Sequence, residues 1–182
     1  MKKLILHLCL AAFAFLSAVK IQAQSLEAVQ AQMVKDWERA KEYTKEYLNA
    51  MPADKYSFRA HDSVRSFAQQ MLHLAAANVF LMSNVSSERP PAWLSFGLER
   101  RTSAQSRDSV VYYVLASYDY AINAVKSSPI SQWGEVKKLF GRFDETKFAI
   151  INKTFEHQTH HRGQTTIYIR LLGIKPPEEK LF

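Results

Sequence analysis

The chain has 182 residues, one domain's worth, with 47% hydrophobic and 23% charged residues, values that fit an ordinary globular core and argue against intrinsic disorder. Only five glycines and six prolines disfavour a turn-rich all-β fold. A net charge of +7, with no Arg/Lys run interleaved with aromatics, gives no nucleic-acid footprint, and the single cysteine, Cys9, excludes an internal disulfide.

The chain begins as a secretory signal peptide does. Met1-Lys2-Lys3 is positive, Leu4 to Val19 is apolar, and Ile21-Gln22-Ala23 offers a small residue for cleavage after Ala23. The apolar run carries His7 and closes at Lys20, falling short of the roughly 20 residues that a membrane span needs. A lipid anchor on Cys9 is disfavoured by His7 and Leu8 before it, where small residues belong. Cleavage removes Lys2, Lys3 and Lys20 without removing an acid, taking the net charge from +7 to about +4. The mature chain, residues 24–182, is then expected in the periplasm or outside the cell, with no membrane span, no disulfide and no thiol nucleophile.

A first helix is expected from Leu26 to Ala50. Trp37, Ala40, Thr44 and Tyr47 or Leu48 recur at helical steps, mixed charges fill the outer face, and Met51-Pro52 ends it. A second helix starts at an N-cap on Asp62 or Ser63 and runs to Met82, with Val64, Phe67, Met71, Leu74 and Leu81 on one stripe. Gln70, His73, Ala77 and Phe80 form the adjoining stripe. Residues 83–106 make a long connection containing Pro90-Pro91, with Trp93, Leu94 and Phe96 as anchors. Such length is unusual for a tight antiparallel turn and points to a crossover that leaves the second and third helices parallel.

The third helix starts at the N-cap Ser106 and runs to Ser127, with Val111, Leu115, Tyr118, Ile122 and Val125 along its seam. Residues 128–143 read as an irregular link. Asp144 or Thr146 caps the fourth helix, which carries Ile150, Thr154, His157, His161, Gln164 and Tyr168 on one stripe until Gly173 and Pro176-Pro177 stop it. The sum is an all-α fold, four helices around one core.

Three of the six histidines fall within five positions of the fourth helix. His157 and His161 are four residues apart and project from one face, one turn above the other, so two imidazoles reach the same ion. His73 is the candidate third ligand. Without an ion, buried imidazoles need partners for both ring nitrogens, and charging them costs more still. A divalent cation takes one nitrogen from each ring and leaves the other N–H for an acceptor. Three nitrogen ligands with a position open is the arrangement of a catalytic site, and it suits zinc, nickel, copper or iron. His61, His7 and His160 read as ordinary surface or signal residues, His160 being rotated about 100° from His161. Gln70, Asp119, Glu156, Gln158 and Gln164 are candidate supporting or acid–base groups, without a catalytic residue being assigned. Arg162 is expected to form an ion pair across the bundle rather than to orient an anionic substrate, and Gly163 to allow close helix packing.

His157-x-x-x-His161-Arg162-Gly163-Gln164, then Tyr168 to Gly173 and Pro176-Pro177, closely resembles the C-terminal signature of the DinB-like (damage-inducible) superfamily. Ser66-Phe67 to Ala75 resembles that family's second helix with its first metal histidine, and the resemblance extends over Met33 to Phe182. It implies an up-down-down-up four-helix bundle holding one divalent metal, commonly zinc or nickel, through His73, His157 and His161. It also implies a homodimer as a common state, and thiol-dependent transfer or isomerisation among characterised members. Export departs from that last point, because small thiols are chiefly cytoplasmic. Two functions follow as expectations: a metal-dependent transferase or hydrolase acting on an unidentified small molecule, or a non-enzymatic envelope protein that binds metal or protects against stress.

Overall fold

A computed structural model describes the backbone of residues 2–95 and 97–182, and the side chains from residue 26 onward except that of Phe96. The side chains of the expected signal peptide and the expected Phe96 anchor therefore lie outside the described residues. Four helices dominate: α1 (Lys2–Ala50), α2 (Phe67–Met82), α3 (Arg107–Ser127) and α4 (Lys147–Leu171). α1 is longer than the expected span from Leu26, because no glycine or proline interrupts the sequence before Pro52.

Side-chain contacts give the helix directions. Gln30 reaches the Val125 carbonyl, Lys41 meets Asp119 and Arg107 meets Asn49, so α1 and α3 are antiparallel. Trp37 packs edge-on to Phe155 and Tyr47 bonds Thr166, which makes α1 and α4 parallel. Arg65, at the start of α2, meets Tyr168, whereas His73 meets His157, so α2 runs against α4. The order is up, down, down, up, with α2 and α3 parallel, as the long connection demands. α1 and α2 sit diagonally, with α3 and α4 between them. Trp37, Tyr118, Phe67, Leu48, Met71, Leu74, Ile150 and Ile151 fill the centre and are almost fully enclosed.

Two local expectations need correction. α2 begins at Ser66 rather than at Asp62 or Ser63. The Ser66 hydroxyl accepts from the Gln69 N–H while the Gln69 side chain accepts from the Ser66 N–H, a reciprocal cap that the earlier candidates lack. Val64 consequently precedes the helix and packs against the core from the connector. The link after α3 is not wholly irregular, since β1 (Val136–Leu139) and β2 (Phe143–Thr146) form an antiparallel hairpin. Opposite charges face one another across it, Lys137 with Glu145 and Lys138 with Asp144, and favour that register. Its turn places Phe140 at φ 52° and Gly141 at φ 72°, and the Arg142 N–H bonds the Leu139 carbonyl at 3.0 Å. Positive φ at both central residues of this turn opens a three-residue loop, Phe140 to Arg142, since Leu139 pairs with Phe143. Ser106 and Thr146 cap α3 and α4 as expected. Among the described residues, no helix is long and apolar enough to cross a membrane.

Candidate metal centre

α2 and α4 pack side by side, and each presents its histidine stripe to the other. His73 from α2 faces His157 and His161 from α4, with ring centroids 5.2 and 4.6 Å away. The two rings on α4 are 4.4 Å apart, as their one-turn spacing dictates. One nitrogen from each of the three histidines lies within 4.8 Å of the others, close enough for a single ion to bridge them after small rotations. His160 is exposed and hydrogen-bonds Gln164 on the outside of the helix, as its rotation requires.

The hydrogen bonds around His161 determine which nitrogen is free. The Tyr168 hydroxyl donates to the Arg65 carbonyl at 2.6 Å, leaving its oxygen to accept from the Gln70 amide nitrogen at 3.5 Å. The Gln70 side-chain oxygen then faces His161 Nδ1 at 2.8 Å. Since that oxygen only accepts, Nδ1 carries the proton and Nε2 keeps its lone pair for an ion. His157 Nδ1 is buried with no hydrogen-bond partner, the open nitrogen that a ligand position leaves.

Electrostatics keep these rings neutral. Burial pushes the His161 pKa down to about 3, with His157, His73, His160 and Arg65 adding repulsion. Burial likewise takes His157 to about 4, helped by His73, His160 and Arg65. His73 is lowered by burial and by Arg65, while Glu99 pulls it partly back. Three uncharged imidazoles aimed at one point are a donor set for a divalent cation at neutral pH.

The other candidates divide by position. Gln70 supports His161 directly. Asp119 pairs with Lys41 at 2.6 Å and Glu156 is exposed, so neither approaches the histidines through any bond described. Gln158 turns toward α3, where its oxygen accepts from Tyr118 at 2.7 Å and also takes the Arg162 guanidinium at 2.8 Å. Gln164 Nε2 lies 2.9 Å from His160 Nε2. Arg162 makes no ion pair among the described residues. Its guanidinium is buried against Gln158 and Thr44 and lies 4.7 Å from the centroid of the Tyr43 ring, so neutral partners solvate the cation. Gly163 is exposed, and a Cβ added there meets nothing within 4 Å, so close packing is not its role.

Two neighbours of the site escaped the sequence reading. Glu99 comes from the long connection, on a short turn Leu98–Arg100, and its Oε1 lies 3.7 Å from His73 Nδ1. Arg65, just ahead of the α2 cap, approaches the same oxygen at 4.0 Å. Neither lies on a periodic apolar stripe or in a histidine cluster with ligand spacing, the signals that singled out the three histidines.

The model of the DinB family matches residues 22–180. The chain belongs to the DinB family. A crystal structure of a DinB-like protein from Bacillus cereus ATCC 10987 aligns with a TM-score of 0.66 at 16% identity, covering 81% of this chain and 95% of that one. A DinB-like protein from Bacillus subtilis aligns with a TM-score of 0.58 at 17% identity, covering 83% and 96%. At such identities the DinB likeness is one of fold. No curated protein matches the sequence.

Proposed function

We propose that this DinB-family protein is exported, loses residues 1–23, and works as a metal-dependent transferase or hydrolase with one divalent ion held by His73, His157 and His161. The observation that carries the reading is the approach of three imidazole nitrogens to within 4.8 Å of one another between α2 and α4. Zinc or nickel is the ion that the family resemblance implies; both accept imidazole nitrogen, and three such donors leave a coordination position for substrate. When bound, the ion supplies Lewis-acid polarisation of a substrate oxygen or activation of water.

The chain's own residues prepare that site. Gln70 holds the proton on His161 Nδ1 and so turns Nε2 inward. Burial keeps the rings unprotonated, so metal entry at neutral pH need not displace a proton from them. The substrate is a small molecule. Export argues for one other than the cytoplasmic thiols used by characterised members of the family.

Elemental analysis of the protein purified from its own compartment tests the reading. One divalent ion per chain is expected in the wild type and none in His157→Ala, together with a mass lacking residues 1–23. Full metal retention by His157→Ala overturns the site as drawn. Stoichiometric metal with no turnover in transfer and hydrolysis screens would move the reading to a metal-binding protein of the envelope.

A further inference from the structure

The sequence gives the segment between α2 and α3 only a span and apolar anchors, yet it brings a carboxylate to the histidine cluster. We propose that Glu99 is a positioning residue for His73, fixing the proton on Nδ1 and directing Nε2 to the point shared with His157 and His161. The inference rests on the metal reading and deepens it.

Four observations support it. Glu99 Oε1 is 3.7 Å from His73 Nδ1, on the ring edge whose nitrogen a carboxylate can take as a donor. That gap closes to a charge-assisted hydrogen bond by a movement of about 1 Å. Glu99 lies outside the mutual reach of the three histidine donors, which places its carboxylate behind a ligand rather than among them.

The carboxylate is also held in place. Gly97 at φ 76° turns the chain, Leu98 is fully buried, and the Gln105 side chain donates to the Glu99 carbonyl at 2.9 Å. The Glu99 side chain is only 15% exposed, so water competes weakly for it. A left-handed turn and a buried leucine immediately before Glu99 are the fixtures of a defined position, not of a passing surface acid.

Finally, the two supports converge. Arg65 Nη2 stands 4.0 Å from the oxygen that faces His73, and the Arg65 carbonyl accepts from Tyr168, which joins Gln70 and His161. The residue before the α2 cap thus touches the networks behind two of the three rings. A neutral amide backs His161 and an anion backs His73. A ring N–H given to a carboxylate makes the other nitrogen a better donor, so His73 is the strongest of the three ligands.

The test uses the full mature protein, with Glu99→Ala and the isosteric Glu99→Gln. Nitrogen-15 NMR of the metal-free protein reads the ring protons, a signature that a merely structural role does not move. Wild type should show His73 protonated on Nδ1. Glu99→Ala should lose that preference while His161, held by Gln70, keeps its own. Zinc affinity by chelator competition should fall about 10–100-fold in Glu99→Ala and less in Glu99→Gln, whose oxygen still accepts. Zinc bound by wild type with unchanged affinity in Glu99→Ala, or an unaltered His73 tautomer, overturns the role of Glu99. If wild type binds no zinc, the metal reading fails, and the NMR comparison alone still decides whether Glu99 sets the His73 proton. Matched circular dichroism and melting of Glu99→Gln separate any effect from misfolding.

Discussion

Replacing Gln70 with leucine removes the acceptor of His161 Nδ1–H while nearly conserving buried volume. In the wild type that oxygen sits 2.8 Å from Nδ1, and Gln70 is only 5% exposed, so water does not readily take its place. The ring then has two choices. Keeping the proton on Nδ1 leaves a buried donor unpaired, at about 1–3 kcal/mol. Moving the proton to Nε2 occupies the nitrogen that faces the other histidines. The metal-free ring takes the second course, and ion binding then returns the proton to Nδ1 and bears the unpaired-donor penalty; an affinity loss of about 10–100-fold corresponds to about 1.4–2.8 kcal/mol, in agreement with that penalty. Isothermal titration of zinc into metal-free Gln70→Leu at neutral pH reads the change. The melting temperature of the metal-free variant should move by only a few degrees, at about 2–4 °C per kcal/mol for a chain of this size. Wild-type zinc affinity in a folded Gln70→Leu would refute the tautomer reasoning.

Three further outcomes follow from the same geometry. Tyr118→Phe removes a fully buried hydroxyl that donates to Gln158 and lies 2.7 Å from Thr44 Oγ1; chemical denaturation should show a loss of about 1–3 kcal/mol, with zinc binding unchanged. Gly163→Ala meets open space on an exposed helix face and should raise stability by up to about 1 kcal/mol, whereas a loss would restore a packing role to the glycine. Acid should destabilise the metal-free protein through His157 and His161, whose folded pKa values are pushed down to about 4 and about 3. Their contribution is fully present above the unfolded value of about 6.5, where both states are neutral. It is lost as pH falls from there through the folded values, because the unfolded chain takes up protons first. A melting curve for His157→Ala that falls as steeply as wild type between pH 6.5 and 5 would contradict this.

How far the sequence reveals the molecule depends on periodicity. The seams of all four helices repeat at helical steps, and the donor histidines sit on stripes of α2 and α4, so the bundle and the three-histidine convergence are legible before any coordinates. The crossover is legible too, because its length is incompatible with a short antiparallel turn. The start of α2 is not read correctly, since Asp62, Ser63 and Ser66 are all acceptable caps and only the Gln69 partner distinguishes Ser66. The hairpin is hidden in four-residue strands in which only Leu139 is buried and no alternating apolar pattern appears. Arg162 is misjudged for a different reason: a cation in a core suggests an acid nearby, but amide, hydroxyl and aromatic partners serve instead. Glu99 has no local signal, since its place beside His73 is made by a non-repetitive connection folding back on α2.

X-ray absorption spectroscopy of the zinc-loaded mature protein examines the central claim most directly, because it counts the atoms around the ion. Three imidazole nitrogens with one further oxygen or nitrogen donor are expected, at about 2.0–2.1 Å for the imidazoles. One imidazole or none, or a spectrum unchanged in His157→Ala, would contradict a centre built by His73, His157 and His161.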